Sequence, residues 1–292
     1  IVNVMKEGRD VWWEDTIARA PEQCEPVVMN AEDPLFILYT SGSTGKPKAL
    51  LHTTAGYLTY AAYTFKTMFE YKEGDVYFIT ADVGWITGHS YGIYGPLING
   101  ATTVWMEGIP TFPTNSRLWS VINDHKVNQF YTAPTLLRML KRLGDEHVKE
   151  CDSLRVLGTV GEPIDPVSWK WYYSVVGRER CAIVDTFWQT ETGGHIISTI
   201  PGAAPVIPGH AGLPFMGIQP AIIPFTSENN SDNHGVGALV ITKPWPGMAR
   251  TIYNDHERFK QVYLLPHPGA YYAGDGASKD ANGNYRIHGR ID

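Results

Sequence analysis

Apolar and polar positions alternate in two textures along this 292-residue chain. Between about residues 32 and 199, short apolar runs are separated by stretches with helical periodicity. The run LFILYT at 35–40 predicts a buried strand. After a loop, Leu58, Ala61, Ala62, Phe65, Met68 and Phe69 recur at spacings that share one helix face. Further strands are predicted at 76–80, 102–106, 129–132, 154–160 and 182–187, with helices at 116–125 and 134–143. The second of these helices carries Pro134 in its first turn, where helices accept proline. Strands separated by helices predict an α/β fold with a largely parallel sheet flanked by helices.

The texture changes after Thr199. Ten of the twenty prolines fall in the last 92 residues, between short strand-like runs such as 237–243, 261–265 and 285–288. This predicts a smaller β-rich, barrel-like subdomain. The polar stretch SENNSDNH at 227–234 is expected as a surface loop between two of its strands. The expected division is an α/β core over 1–204 and a β-rich subdomain over 205–292, with no internal repeat.

Composition narrows the class. An apolar share of 43% and a charged share of 18% suit a globular chain with a substantial core. No run approaches the roughly 18–20 apolar residues of a membrane-spanning helix, so no membrane partner is expected. The chain opens at Ile1 without an initiator Met or a secretory segment, and is read as processed or truncated. Cys24, Cys151 and Cys181 form no CxxC pair, which suggests a reducing, cytoplasmic setting. The ten histidines show no HExxH spacing, so a structural zinc is not expected. A formal charge of −6 argues against a nucleic-acid partner and leaves any anionic substrate to local donors.

One such cluster of donors is Thr40-Ser-Gly-Ser-Thr-Gly-Lys46, read as lying between a strand and a helix. Its glycines allow successive N–H groups to converge on an anion, Ser41, Ser43 and Thr44 add hydroxyls, and Lys46 adds charge. A Walker A loop fails twice, because Thr40 replaces its first glycine and Pro47 follows the lysine. On composition alone, a flexible Ser/Gly turn remains open.

The full string LYTSGSTGKPK resembles the signature loop of the adenylate-forming superfamily: acyl-CoA synthetases, luciferases and peptide-synthetase adenylation domains. Four more segments match in the same order: ADVGWITGHSY from Ala81, Gly161-Glu162-Pro163, DTFWQTETGG from Asp185, and AGDGA…HGRID up to Asp292. With EDPLFILYT and GMARTIYNDHERF, they resemble the acetyl-CoA synthetase branch over nearly the whole chain.

The resemblance implies a site. Thr40, Ser41, Gly42, Ser43, Thr44, Gly45 and Lys46 would hold the β- and γ-phosphates of ATP. Gly161, Glu162 and Pro163 would line the adenine side, and Asp185, Thr186, Phe187, Trp188, Gln189 and Thr190 would contact adenine and the α-phosphate. Asp275 would accept from the ribose hydroxyls, Arg290 would contact ribose and phosphate, and Glu191 would hold Mg²⁺. Ile86, Thr87, Val160 and Trp188 would surround the acetate methyl, although core packing is an equal reading of Ile86 and Val160. Thr87 and Thr111 would approach coenzyme A. The implied reaction joins acetate to AMP with release of pyrophosphate, after which the coenzyme A thiol displaces AMP.

Family members are longer. Their N-terminal region supplies part of the coenzyme A site, and Asp292 resembles the hinge before a small C-terminal domain that carries the adenylation lysine. Ala49 and Ala55 replace common glycines, Phe187 a common tryptophan, Thr111 an asparagine and His210 a serine. A propionyl-CoA or other short-chain synthetase, or a nucleotide-binding fragment without turnover, are the alternatives.

Overall fold

The structure is a computed structural model that describes residues 5–41, 46–225 and 235–291. Residues 1–30 form one unit, in which the described part holds a single helical turn at Trp13–Ile17. Residues 31–292 form the other, which carries everything below.

Three sheets organise this unit. The first is antiparallel and pairs β1 (Pro34–Thr40) with β2 (Lys48–Thr53), and β2 in turn with β12 (Thr251–Ile252). The largest has seven strands: β3 (Val76–Ile79), β4 (Thr102–Val104), β5 (Gln129–Thr132), β6 (Val156–Thr159), β7 (Ala182–Phe187), β8 (Ile197–Ser198) and β9 (Leu213–Pro214). Their order is β4-β3-β5-β6-β7-β8-β9, parallel as far as β7 and antiparallel for the last two pairings. The third sheet is antiparallel, in the order β10 (Pro220–Pro224), β11 (Gly237–Ile241), β13 (Tyr271–Lys279) and β14 (Tyr285–Arg290).

Alternation along the parallel strands divides the core in two. Tyr77, Ile79, Tyr131, Val156 and Val184 join one apolar cluster with Tyr60, Phe65 and Met68 of helix Thr54–Met68. Their neighbours Phe78, Phe130, Leu157 and Ile183 join a second, with Leu118 and Trp119 of helix Arg117–Asp124 and Leu137 and Leu140 of helix Pro134–Leu143. Strands buried on both faces read as continuous apolar runs, which is why 76–80, 129–132 and 182–187 were visible. Helix Pro134–Leu143 starts on Pro134 and stops at Gly144, whose φ of 111° ends a right-handed helix. Helix Pro166–Trp171 is capped by Asp165, whose Oδ1 accepts from the N–H groups of Val167 and Ser168 at 3.1 and 2.9 Å.

Three expectations change. The run at 35–40 is a strand, but it pairs antiparallel with β2 outside the parallel sheet, and Ile37 and Tyr39 are exposed. The phosphate loop therefore joins two antiparallel strands, with β2 between it and the helix. Residues 261–265, read as a strand, continue helix His256–Tyr263 to its C-cap at Leu264. Asp255 caps that helix by accepting from Arg258 N–H at 3.3 Å, and Phe259 and Tyr263, four residues apart, bury one face. The stretch 227–234 and the hinge position Asp292 lie outside the described residues.

Candidate active site

Parallel α/β sheets place ligands outside the carboxyl ends of their strands. A cleft of about 300 Å³ opens beyond the ends of β6 and β7 and is closed on its other side by β13 and β14. Gly161, Glu162, Pro163, Asp185, Thr186, Phe187, Trp188, Gln189, Asp275 and Arg290 all line it. Two segments separated by some 85 residues are thus brought together in one cleft. Gly209, Ala211, Ile287 and Gly289 also line the cleft and were not foreseen, since none carries a functional group that marks it.

The polar groups of the cleft are fixed by one another. Gln189 Nε2 donates to Asp275 Oδ2 at 2.5 Å and to the Ala273 carbonyl at 2.7 Å, while Tyr271 Oη donates to Gln189 Oε1 at 2.6 Å. Arg290 faces Asp275 in the β13–β14 register, its Nη1 lying 3.5 Å from Oδ2 and 3.0 Å from the Ala273 carbonyl. Asp275 is buried yet lines the cleft, so its carboxylate faces the space a ligand would fill. Glu162 is held by Arg138 Nη2 at 2.6 Å and by the Thr135 hydroxyl.

Asp185 lines the same cleft and is set apart by its burial. It is buried, its Oδ1 accepts from Thr159 Oγ1 at 2.8 Å, and burial raises its pKa from 3.8 to about 7. The Thr159 hydroxyl and the N–H groups of Thr186 and Ile164 pull in the opposite direction but do not cancel the burial.

Thr190 and Glu191 lie on a 3₁₀ turn at Thr190–Thr192 and do not line the cleft. His52 Nε2–H donates to the Thr190 carbonyl at 2.7 Å. Burial lowers the His52 pKa to about 4, so its ring is neutral. Glu191 Oε1 accepts from Lys48 Nζ at 3.3 Å and from the Tyr263 hydroxyl, and Lys48 Nζ lies 4.9 Å from the Tyr263 ring centroid. Lys48, His52 and Tyr263 were missed. Lys48 was the legible one, since it closes the signature string LYTSGSTGKPK.

Among the described residues no group of three or more His, Cys, Asp or Glu side chains could hold a metal. Magnesium bound through one carboxylate and substrate phosphates needs no such group, and Glu191, fixed through one oxygen, suits that mode.

Of the phosphate loop, Thr40, Ser41 and Lys46 are described, whereas Gly42, Ser43, Thr44 and Gly45 lie outside the described residues. Thr40 Oγ1 is buried without a hydrogen-bond partner, which leaves a donor available at the loop's start. Arg258 steadies the far side, donating from Nη2 to the Lys46 carbonyl at 2.5 Å and from Nη1 to the Pro47 carbonyl at 3.2 Å.

Trp188 is one of the apolar residues that line the cleft. It packs against two clusters, one containing Ile86 and the other Val160, each of which is 8% exposed. Thr87 and Thr111 do not line this cleft. Thr111 follows Pro110, which lines a separate cavity of about 750 Å³ near the ends of β3, β4 and β5.

Comparison with known proteins follows the same lines. A family model described as AMP-binding enzyme matches residues 2–253. The acetyl-coenzyme A synthetase of Syntrophobacter fumaroxidans is 58% identical over 287 residues, covering 98% of this chain and 44% of the relative. Those of Drosophila melanogaster and Desulfatibacillum aliphaticivorans are each 56% identical, covering 98% and 99% of this chain and 43% and 45% of the relatives. The chain thus spans less than half the length of these relatives. No described helix is long and apolar enough to cross a membrane, and Cys24, Cys151 and Cys181 are free. With the match running through the β6–β7 side of the cleft and across most of its length, the chain belongs to the AMP-binding enzyme family.

Proposed function

We propose that this chain binds ATP and acetate in the cleft between β6–β7 and β13–β14, as the adenylating part of an acetyl-CoA synthetase of the cytoplasm. The reading rests on one observation: ten of the eleven positions implied for adenine, ribose and the α-phosphate line a single cleft, Trp188 among them. Names of the relatives point the same way. On this reading the α/β part up to residue 204 supplies adenine, phosphate and acyl contacts, and the β-rich part from 205 supplies the ribose contacts.

The acetate carboxylate attacks the α-phosphorus, and pyrophosphate leaves with the P–O electron pair. The coenzyme A thiol then attacks the acetyl carbonyl and AMP leaves. No protein nucleophile is required, so the chain acts by positioning and charge. Asp275, oriented by Gln189 and Arg290, accepts from the ribose hydroxyls. Asp185, with its raised pKa, can offer a proton to an adenine ring nitrogen. Glu191 would hold Mg²⁺, which neutralises phosphate charge, while Lys48 and Tyr263 keep the carboxylate in place. Thr87 and Thr111 are assigned to coenzyme A.

The test is nucleotide affinity. AMP is expected to bind the chain, and D275A to weaken it about 10- to 150-fold, since hydrogen bonds to a charged group contribute about 1.5–3 kcal/mol. Calorimetry with an unchanged circular dichroism spectrum decides it. Equal affinities for AMP would remove Asp275 from the site.

A further inference from the structure

Tyr91, Tyr131 and His195 are fully buried directly behind Trp188, and none of them lines the cleft. Their hydrogen bonds have only one consistent set of directions. Thr64 Oγ1 donates to the Tyr60 carbonyl at 2.7 Å, so at its 2.8 Å contact with Tyr91 the tyrosine hydroxyl is the donor. Tyr91 Oη then accepts the His195 backbone N–H at 2.7 Å. Likewise Thr186 Oγ1 donates to the Thr159 carbonyl at 2.7 Å, so Tyr131 donates to Thr186 at 2.7 Å. His195 Nε2 must therefore carry the proton at its 3.2 Å contact with Tyr131. Burial pushes the His195 pKa well below its ordinary value, and the ring is neutral.

These bonds lock a pair of rings. Tyr91 and His195 stack with centroids 4.0 Å apart and planes 26° from parallel. Trp188 sets its indole edgewise on both, at 4.9 Å and 83° to Tyr91 and 5.7 Å and 72° to His195. Its own Nε1–H is buried and finds at most a loose contact with the Tyr131 hydroxyl. Ring packing therefore fixes the indole's tilt. Gly194 belongs to the same device, since a Cβ there would lie 2.7 Å from the Tyr91 hydroxyl oxygen.

We propose that the Tyr91–His195 stack is the platform that positions Trp188 and thereby sets the length of acid the acyl pocket admits. This rests on the reading of Trp188 as the pocket's end wall. Tyr91 and His195 are positioning residues, because neither reaches the cleft. Removing the imidazole leaves space into which the indole can tilt, and the pocket then lengthens.

The experiment uses the 292-residue chain and requires no turnover. Affinities for AMP and for its ethyl, butyl and hexyl phosphate esters are measured by calorimetry in wild type, H195A, H195F and Y91F. Wild type is expected to lose affinity beyond the ethyl ester. In H195A each added methylene is expected to gain about fourfold, the worth of a buried CH₂, shifting the butyl-to-ethyl ratio by at least about tenfold. AMP itself should bind as in wild type, and the ratio should not change with pH, because a neutral ring does the work. H195F keeps a ring in the same place and should restore the wild-type ratio. Y91F, which loses one oxygen and keeps the fold, should shift the ratio in the same direction as H195A by a smaller factor. Should H195A fail to fold, Y91F and H195F decide the matter. An H195A or Y91F profile matching wild type overturns the platform, as does an H195F profile as permissive as H195A. Failure of AMP to bind wild type is a different outcome, and it overturns the nucleotide reading together with this one.

Discussion

Asp185→Asn isolates one proton. The carboxyl is buried within β7, and burial raises its pKa from 3.8 to about 7. Between those values the folded chain keeps a proton that the unfolded chain releases. Stability from this group is therefore full below pH 3.8 and is lost as pH rises through about 7. The gap is 7 − 3.8, about three pH units, and at 1.36 kcal/mol per unit the loss reaches roughly 4 kcal/mol. Asparagine keeps the shape, can still accept from Thr159 Oγ1 and does not ionise. The wild-type curve alone cannot show the effect. Neutral His52, with its pKa lowered to about 4, acts oppositely: its stability is present above 6.5 and is lost as pH falls toward 4. The two windows overlap with opposite slopes. The difference between D185N and wild type cancels the histidine and leaves the carboxyl. Urea unfolding followed by circular dichroism at half-unit steps from pH 4.5 to 8 should show D185N gaining on wild type by about 1.4 kcal/mol per unit up to pH 7, then a plateau. Parallel curves across that range would show that Asp185 titrates as an exposed carboxyl and that the cleft floor is wetter than its burial implies.

Three further outcomes follow from the same contacts. K48M leaves Glu191 buried without its cation; it should cost about 3 kcal/mol in urea unfolding, and weaken nucleotide affinity more with magnesium present than with a chelator. D75A removes the acceptor of Arg155, bonded at 2.9 and 2.7 Å, and of Gln129 at 2.6 Å; about 3 kcal/mol should appear as a lower urea midpoint with nucleotide affinity unchanged. W188G, made in a polypeptide of the relatives' length, should raise kcat/KM for butyrate relative to acetate, and an unchanged ratio would make Trp188 ordinary packing.

What could be read in the chain before its structure followed from how each segment hides its surface. Strands β3, β5, β6 and β7 are buried on both faces, so their apolar runs announce them without reference to anything distant. Strand β2 is equally buried, yet it carries Lys48, His52 and Thr53 and went unread. Lys48 and His52 are tolerable inside because Glu191 and the Thr190 carbonyl, 143 and 138 residues away, receive them, and Thr53 because Glu32 does. No local pattern encodes such a partner. The run at 261–265 misled for the related reason that five apolar-rich residues fit a strand or a helix end equally well. The Asp255 cap, six residues upstream of that run, decided between them.

The same distinction separates the cleft from what supports it. Gly161, Asp185, Gln189 and Asp275 stand in motifs whose glycines and carboxylates are conspicuous in a single sequence. Tyr91, Tyr131 and His195 look like core aromatics, and by burial they are. What marks them is that each spends its polar atom on a neighbour whose own proton is already committed, so that the direction of every bond is forced. A core needing only volume could use phenylalanine at all three positions and avoid the desolvation of three hydroxyl or imidazole groups. Keeping them therefore costs stability unless orientation is needed, and the ring whose orientation they fix is Trp188, which packs edgewise on two of them. Part of the buried polarity in this molecule serves orientation in the same way: Lys48 orients Glu191, His52 orients Thr190, Gln189 orients Asp275, and the tyrosine–histidine stack orients an indole.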